Sequence, residues 1–388
     1  MRLEKIEYSQ FDGQPKEWKV DECSFGLTNL IIGKNATGKT RLLNIIRGLA
    51  SNIAEGGKLR FGEGNYRAEF SIAGKSYVYF LKYHQRVVES EKLIIDKELY
   101  LTRDAKGEGK LKAEKVGDDI DFKIDSDQIA VATKRDSIQH SYLDDLHTWA
   151  KSVARYDFGG GLGKDQILLR LGGEARSDND IRIDIRKTDQ VVRIFIQALE
   201  ELKDSFSQSI LEDMKYLGYE IEAVGVDALE GISIDSPLPI SVSAPPIGLY
   251  LKESDLPIAT GQHEMSDGMF SALSVLAQVS YALATNQVTC LLVDDIGQGL
   301  DYERSSALVK RVVDKAERAS TQLIMTTNDR FIMNAIPLEK WIVLVRTGGL
   351  VQNLNYRNSK ELFDEFDDTG LNNFDFFSSG YYRKKTKK

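Results

Sequence analysis

Eight consecutive residues, Gly33-Lys34-Asn35-Ala36-Thr37-Gly38-Lys39-Thr40, follow the pattern G-x-x-x-x-G-K-[ST]. The glycines let successive backbone N–H groups turn inward around an anion. A helix starting there adds its partial positive charge. In such a loop Lys39 reaches the β- and γ-phosphates of a nucleotide, and Thr40 offers its hydroxyl to Mg²⁺. A second group of residues suits the same chemistry. The apolar run Cys290-Leu291-Leu292-Val293 ends in Asp294-Asp295, and the carboxyl ends of strands in parallel sheets are where ligands bind. Asp294 is expected to hold the Mg²⁺ shell, through water, and Asp295 to orient or deprotonate an attacking water. A third group, Glu264-Met265-Ser266-Asp267-Gly268-Met269, opens an apolar helical stretch. A hydroxyl, a bare backbone and a helix dipole all suit an anion. Taken alone, Ser266 reads as an ordinary helix N-cap.

Elements of the right kind flank each group. Strands are expected over Leu3 to Tyr8, around Trp18 to Val20, and over Leu27 to Ile32. A helix with Leu42, Leu43, Ile46 and Leu49 on one face follows the glycine loop. From 266 onward the pattern alternates: a helix from 266, strand 290–294, helix 301–318, strand 322–326 and strand 341–346, as in a parallel α/β sheet. Between these ends, residues 58–130 read as an antiparallel meander with Gly-containing turns. Residues 137–217 read as helical, with Tyr142, Leu143, Leu146, Trp149 and Val153 on one face. Short strands return over 231–260 among most of the prolines. Gly159-Gly160-Gly161-Leu162-Gly163-Lys164 is glycine-rich, but no apolar strand precedes it and no Ser or Thr follows the lysine. It reads as a flexible connection.

Composition excludes several classes. The chain has 388 residues, with 51 Lys plus Arg against 59 Asp plus Glu, a net charge of −8. That balance gives no support to bulk polyanion binding. Cys23 and Cys290 form no disulfide framework, and no Cys/His cluster has zinc spacing, so the reducing cytoplasm is the expected compartment. No apolar run reaches 18 residues, so no membrane association is expected. The tail is aromatic over Asn372-Asn373-Phe374-Asp375-Phe376-Phe377 and basic over Arg383-Lys384-Lys385-Thr386-Lys387-Lys388. It reads either as a docked segment with a solvated end or as a contact for a partner or nucleic acid.

Taken together, the glycine loop, the acidic strand end, Ser266-x-Gly268 and Gly299-Leu300-Asp301 resemble the ABC-type ATPase heads. The fold implied is α/β: a P-loop NTPase head with a parallel core sheet plus an antiparallel β lobe, and an inserted β-rich and helical lobe. The resemblance places a discontinuous core at 1–57 and 260–388, a β-rich lobe at 58–136, and a helical and mixed insertion at 137–259. It implies ATP and Mg²⁺ as cofactors. Ser266 and Gly268 would cap the γ-phosphate of ATP held by another subunit, and Asp301 would lie at that interface. Two positions depart from the family pattern. Asn328, ending Leu323-Ile324-Met325-Thr326-Thr327-Asn328, stands where a γ-phosphate-sensing His is usual, and it cannot gain charge near neutral pH. Asp295 replaces the usual Glu. Both favour a slow switch over a fast motor. Gln128 and Gln139 are the candidates for the family's glutamine loop.

The long span between Gly33 and Ser266, without heptads, is similar to the RecF/OLD-like, SMC-related branch of stand-alone ATPases. This branch occurs in DNA repair and in bacterial anti-phage defence. The implied function is an ATP-binding, slowly hydrolysing switch. It forms a homodimer or higher homo-oligomer and controls a separately encoded effector, a nuclease or toxin. A RecF-like repair ATPase and a scaffold that binds ATP without hydrolysis are the alternatives. A transporter ATPase is disfavoured by the long middle segment.

Overall fold

The computed structural model describes residues 1–55, 59, 61–168, 184, 188–229 and 245–384. Its strands are β1 (Arg2–Gln10), β2 (Trp18–Ser24), β3 (Thr28–Ile32), β4 (Glu63–Ile72), β5 (Lys75–His84), β6 (Val87–Ile95), β7 (Glu98–Arg103), β8 (Glu108–Ala113), β9 (Asp118–Lys123), β10 (Val153–Asp157), β11 (Ile221–Ala228), β12 (Ile247–Glu253), β13 (Thr260–Gly261), β14 (Cys290–Asp294), β15 (Gln322–Thr326), β16 (Trp341–Thr347) and β17 (Leu350–Asn355). Its helices are α1 (Lys39–Glu55), α2 (Ala130–Thr133), α3 (Ser141–Lys151), α4 (Val191–Leu202), α5 (Asp204–Tyr216), α6 (Asp267–Ala284), α7 (Tyr302–Arg318), α8 (Arg330–Ala335), α9 (Tyr356–Asp367) and α10 (Asn373–Ser378).

The chain divides into two compact units. Unit one holds Met1–Val153, Thr289–Leu292 and Ser320–Lys388, and unit two holds Ala154–Val288 and Val293–Ala319. Unit one is built on a mixed sheet with the strand order β14-β15-β3-β16-β17-β2-β1-β4-β5-β6-β7-β8-β9. Strands β15, β3 and β16 are parallel, and their neighbours on both sides explain why their middles are apolar. All five residues of β3 and of β15 are buried, the signature of a parallel strand covered on both faces. By contrast, β4 and β5 alternate buried and accessible residues, as expected of an antiparallel sheet with one wet face. Helix α1 packs Leu42, Leu43, Ile46, Leu49 and Ile53 into the core of this unit.

The meander expected over 58–130 is present as β4–β9. It continues the sheet of unit one, because β4 pairs with β1 over Arg2↔Ser71 to Ser9↔Asn65. The units drawn by compactness therefore differ from the segments expected from sequence. The strands of 58–136 lie in unit one, and the helices α6 and α7 lie in unit two.

Unit two contains the antiparallel sheet β11-β12-β13 and the helices α4–α7. Asp213 of α5 is fully buried and ion-paired to Arg311 at 2.5 Å and Lys315 at 2.7 Å, both on α7. Helix α6 is apolar nearly all round, and the residues of its middle are buried, as a central helix must be.

Three sequence expectations are corrected. Val153 belongs to no helical face: α3 ends at Lys151, and Val153 starts β10. The alternation of Val153-Ala154-Arg155-Tyr156-Asp157 is the strand period, and it overrode the apolar spacing carried over from α3. The glycine-rich stretch is no loose connection. Phe158–Gly163 forms a 3₁₀ turn, and Ser274 Oγ donates to its Leu162 carbonyl at 2.9 Å. The strand expected at Trp18 to Val20 extends to Ser24. The short strands expected over 231–260 are seen as β12 and β13, and the portion 230–244 lies outside the described residues. Among the described residues no helix is long and apolar enough to cross a membrane.

The aromatic part of the tail is docked. Phe376 of α10 is fully buried against Phe363, Phe366 and Trp341. Residues 385–388, most of the expected basic run, lie outside the described residues.

Candidate functional site

In unit one the glycine loop joins the end of β3 to the start of α1. Two left-handed residues turn it, Ala36 at φ +64° and Gly38 at φ +104°. A Cβ at Gly38 would stand 2.9 Å from Cζ2 of Trp18, so the position admits only glycine on two counts. Thr37 Oγ1 donates to the Lys34 carbonyl at 2.8 Å and closes the turn. Arg346, at the end of β16, braces the loop from outside by donating to the Ala36 carbonyl at 3.0 Å.

Lys39 is the first residue of α1 and is only 7% exposed. Its ammonium donates to the Gly33 carbonyl at 2.9 Å and to Asn328 Oδ1 at 2.8 Å. Asn328 reaches it because β15 runs parallel to β3, with Leu323 opposite Thr28 and Thr326 opposite Ile31. The chain leaving β15 therefore emerges beside the loop leaving β3. Thr40 is exposed at the same helix start. Tyr382 and Arg383, near the chain's end, line a cavity of about 330 Å³ with Lys34, Asn35, Thr37 and Arg346.

Asp294, the last residue of β14, falls in unit two and is 2% exposed. Its Oδ2 is ion-paired to Nη2 of Arg155, on β10, at 2.7 Å. Asp295 follows in the left-handed region at φ +48°. Such a backbone stores on the order of 1 kcal/mol, and Asp is among the residues that tolerate it best. The reversal re-aims the chain directly after the buried acid, and the Asp295 carbonyl accepts from the Gln298 amide at 3.1 Å.

Ser266 caps α6, accepting from the Met269 amide at 3.3 Å. Asp301 caps α7, accepting from the Arg304 amide at 2.9 Å and from Arg304 Nη1 at 2.8 Å. The Arg304 amide, first, and the Arg304 charge hold the Asp301 carboxyl below the usual carboxylate range. A Cβ at Gly268 would lie 2.5 Å from the Gly299 carbonyl. The start of α6 and the loop after β14 thus pack backbone to backbone. Ser266, Gly268 and Asp301 line one cavity of about 560 Å³, with Tyr219, Glu253 and Arg304. The Arg304 guanidinium lies 4.3 Å from the centre of the Tyr219 ring, a cation–π contact.

Lys39, Asn328 and the loop Gly33–Thr40 therefore meet within unit one. Ser266, Gly268 and Asp301 meet within unit two, which also carries Asp294 and Asp295. Gln128 and Gln139 precede α2 and α3 in unit one. Sequence reasoning missed Arg155 and Arg304. The two-residue alternation around Arg155 is the one signal that pointed to it.

The residues suit Mg²⁺ in type. The Thr40 hydroxyl and the Asp294 carboxylate are hard oxygen donors. Among the described residues no group of three or more His, Cys, Asp and Glu is placed to hold a metal ion. Mg²⁺ commonly takes one or two carboxylates plus substrate phosphates, so a single buried acid is a fitting supply.

No family model matches the chain, and no curated protein matches it. Among solved structures it is similar to an SMC head bound to the C-winged helix domain of ScpA, at 13% identity, covering 91% of this chain and 98% of that one, with a TM-score of 0.49. It is also similar to the SMC head domain from Thermotoga maritima, at 14% identity, 92% and 99% coverage, and a TM-score of 0.44. A third likeness is to the Smc head domain with an extended coiled coil bound to the C-terminal domain of ScpA derived from Pyrococcus furiosus, at 14% identity, 94% and 99% coverage, and a TM-score of 0.44.

Proposed function

We propose that this protein binds ATP at Gly33–Thr40 and hydrolyses it slowly, acting as a nucleotide switch. The observation that carries this reading is the Lys39 ammonium, buried at the start of α1 between the Gly33 carbonyl and Asn328 Oδ1. These two acceptors are neutral oxygens that fix the position of the ammonium without themselves neutralising it. That arrangement suits a polyphosphate. The helix start and the loop amides add to it.

In this reading Lys39 takes the β- and γ-phosphates, and Asn328 orients Lys39 and the terminal phosphate. Asp295 directs the attacking water. Thr40 and Asp294 are the residues that would hold Mg²⁺, which supplies neutralisation of phosphate charge. Asn328 offers hydrogen bonds but no proton at neutral pH, which keeps hydrolysis slow. The cavity bearing Ser266, Gly268 and Asp301 takes the terminal phosphate of a nucleotide held by a second copy. ATP thereby drives dimerisation, and the dimer controls a separately encoded effector, in keeping with a role in anti-phage defence.

Binding of a fluorescent ATP analogue to the wild type and to Lys39→Ala tests the reading. Loss of a charge-assisted contact predicts weakening by about 10- to 100-fold. Equal affinity in the two proteins overturns it. A second reading, nucleotide binding without hydrolysis, is favoured by the arginine on Asp294. Phosphate release by wild type above that of Asp295→Ala rules it out.

A further inference from the structure

We propose that Arg155 is a positioning residue that stands in for the metal cation on Asp294 and transfers to Asp157 when the metal binds. The proposal rests on the assignment of Asp294 as the metal-binding acid. One nitrogen, Arg155 Nη2, lies 2.7 Å from Asp294 Oδ2 and 3.8 Å from Asp157 Oδ2. Arg155 and Asp157 are two apart on β10, so they project to the same face of the strand. The guanidinium thus has two carboxylates within reach of one small rotation.

The two seats differ in burial. The Asp294 side chain is 3% exposed and the Asp157 side chain 50%. An ionised carboxylate in the dry position needs a compensating charge. An arginine paired with the wetter acid loses little on leaving it. Asp157 is also held in place, because its Oδ1 accepts from the Gly159 amide at 3.1 Å. The second seat is therefore built before it is used. Arg155 orients Asp294, and an arriving divalent cation exchanges with that arginine. The consequence is a lowered apparent metal affinity, tunable from either acid.

The test is a Mn²⁺ titration followed by electron paramagnetic resonance, on the full chain with a non-hydrolysable ATP analogue. Arg155→Gln removes the competitor and is expected to bind Mn²⁺ about tenfold more tightly, the worth of one charge-assisted contact. Asp157→Asn removes the second seat and is expected to bind it more weakly than wild type. Arg155→Lys keeps a competing cation and is expected to stay near wild type. A purely structural role for Arg155 moves none of these in opposite directions. Equal or weaker Mn²⁺ binding by folded Arg155→Gln overturns the proposal. If that variant does not fold, unchanged affinity in Asp157→Asn overturns it instead. Analogue binding measured without metal separates the two readings. Failure of the analogue to bind defeats the nucleotide site itself. Analogue binding with no Mn²⁺ response to Arg155→Gln or Asp157→Asn defeats only the exchange.

Discussion

The two units offer different contacts to their buried charges. In unit one, Lys39 is gripped by a carbonyl and an amide oxygen. The buried Glu91 carboxylate accepts from the Ala130 and Val131 amides and from the Tyr79 hydroxyl, with the Arg103 charge acting on it as well. In unit two, Asp294 meets Arg155, and Asp213 meets Arg311 and Lys315. A neutral partner fixes the position of a charge and does not itself cancel it. Ionic partners cancel it, so whatever binds there must displace a cation, and removing one partner strands the other.

The largest effect should come from breaking an ionic grip. Asp213→Ala leaves two cations on α7 without their acid and should cost about 3 kcal/mol, read from the urea midpoint. A loss below about 1 kcal/mol, the level of a solvent-screened pair, would remove Asp213 from the comparison. Next comes the neutral grip on Lys39. Asn328→Ala removes one acceptor but no charge. It should leave ATP affinity within about threefold, since one neutral hydrogen bond is worth about 1 kcal/mol, while slowing phosphate release. A large loss of affinity would show that the hold of Asn328 on Lys39 outweighs its action on the phosphate.

Ser266→Ala sharpens the reading of unit two's cavity. As an N-cap, Ser266 should contribute about 1 kcal/mol to stability. If it also meets phosphate, ATP-dependent dimerisation, followed by light scattering, should fall with it. Unchanged dimerisation would leave Ser266 as a cap alone. The smallest effect is expected from His147 in unit one. Burial, first, and then the Arg135 and Lys151 charges hold its imidazole below the ordinary value of 6.5. Arg135 Nη1 lies 3.0 Å from its Nε2, and an arginine can only donate, so the neutral ring is the one favoured. The unfolded chain therefore binds the extra proton more readily. His147's contribution is complete above about pH 6.5 and is lost as pH falls through the lowered folded value. His147→Gln should flatten that part of the stability profile, and an unchanged slope would refute the assignment.

Much of this arrangement was legible along the chain. The glycine loop, the strand before it and the helix after it are neighbours in sequence, and their glycines, apolar runs and caps are local signals. The same holds for Ser266 at the start of α6 and for Asp301 at the start of α7, where hydroxyl and carboxylate cap the helix they precede. The failures were also local. Apolar spacing carried past Lys151 hid β10, and with it the strand period that places Arg155.

What the residues alone determined is the inventory: a loop able to hold phosphates, an apolar strand ending in two acids, and two capped helices. Such motifs need only a few successive dihedrals and side chains, which nearby residues specify. Tertiary structure decided who faces whom. Asn328 meets Lys39 across 289 positions, and Arg155 meets Asp294 across 139. Those contacts follow from strand order and register, which arise from burying whole apolar faces together. No short stretch of sequence encodes that sum, so the partners of the buried charges emerge only once the sheet is assembled.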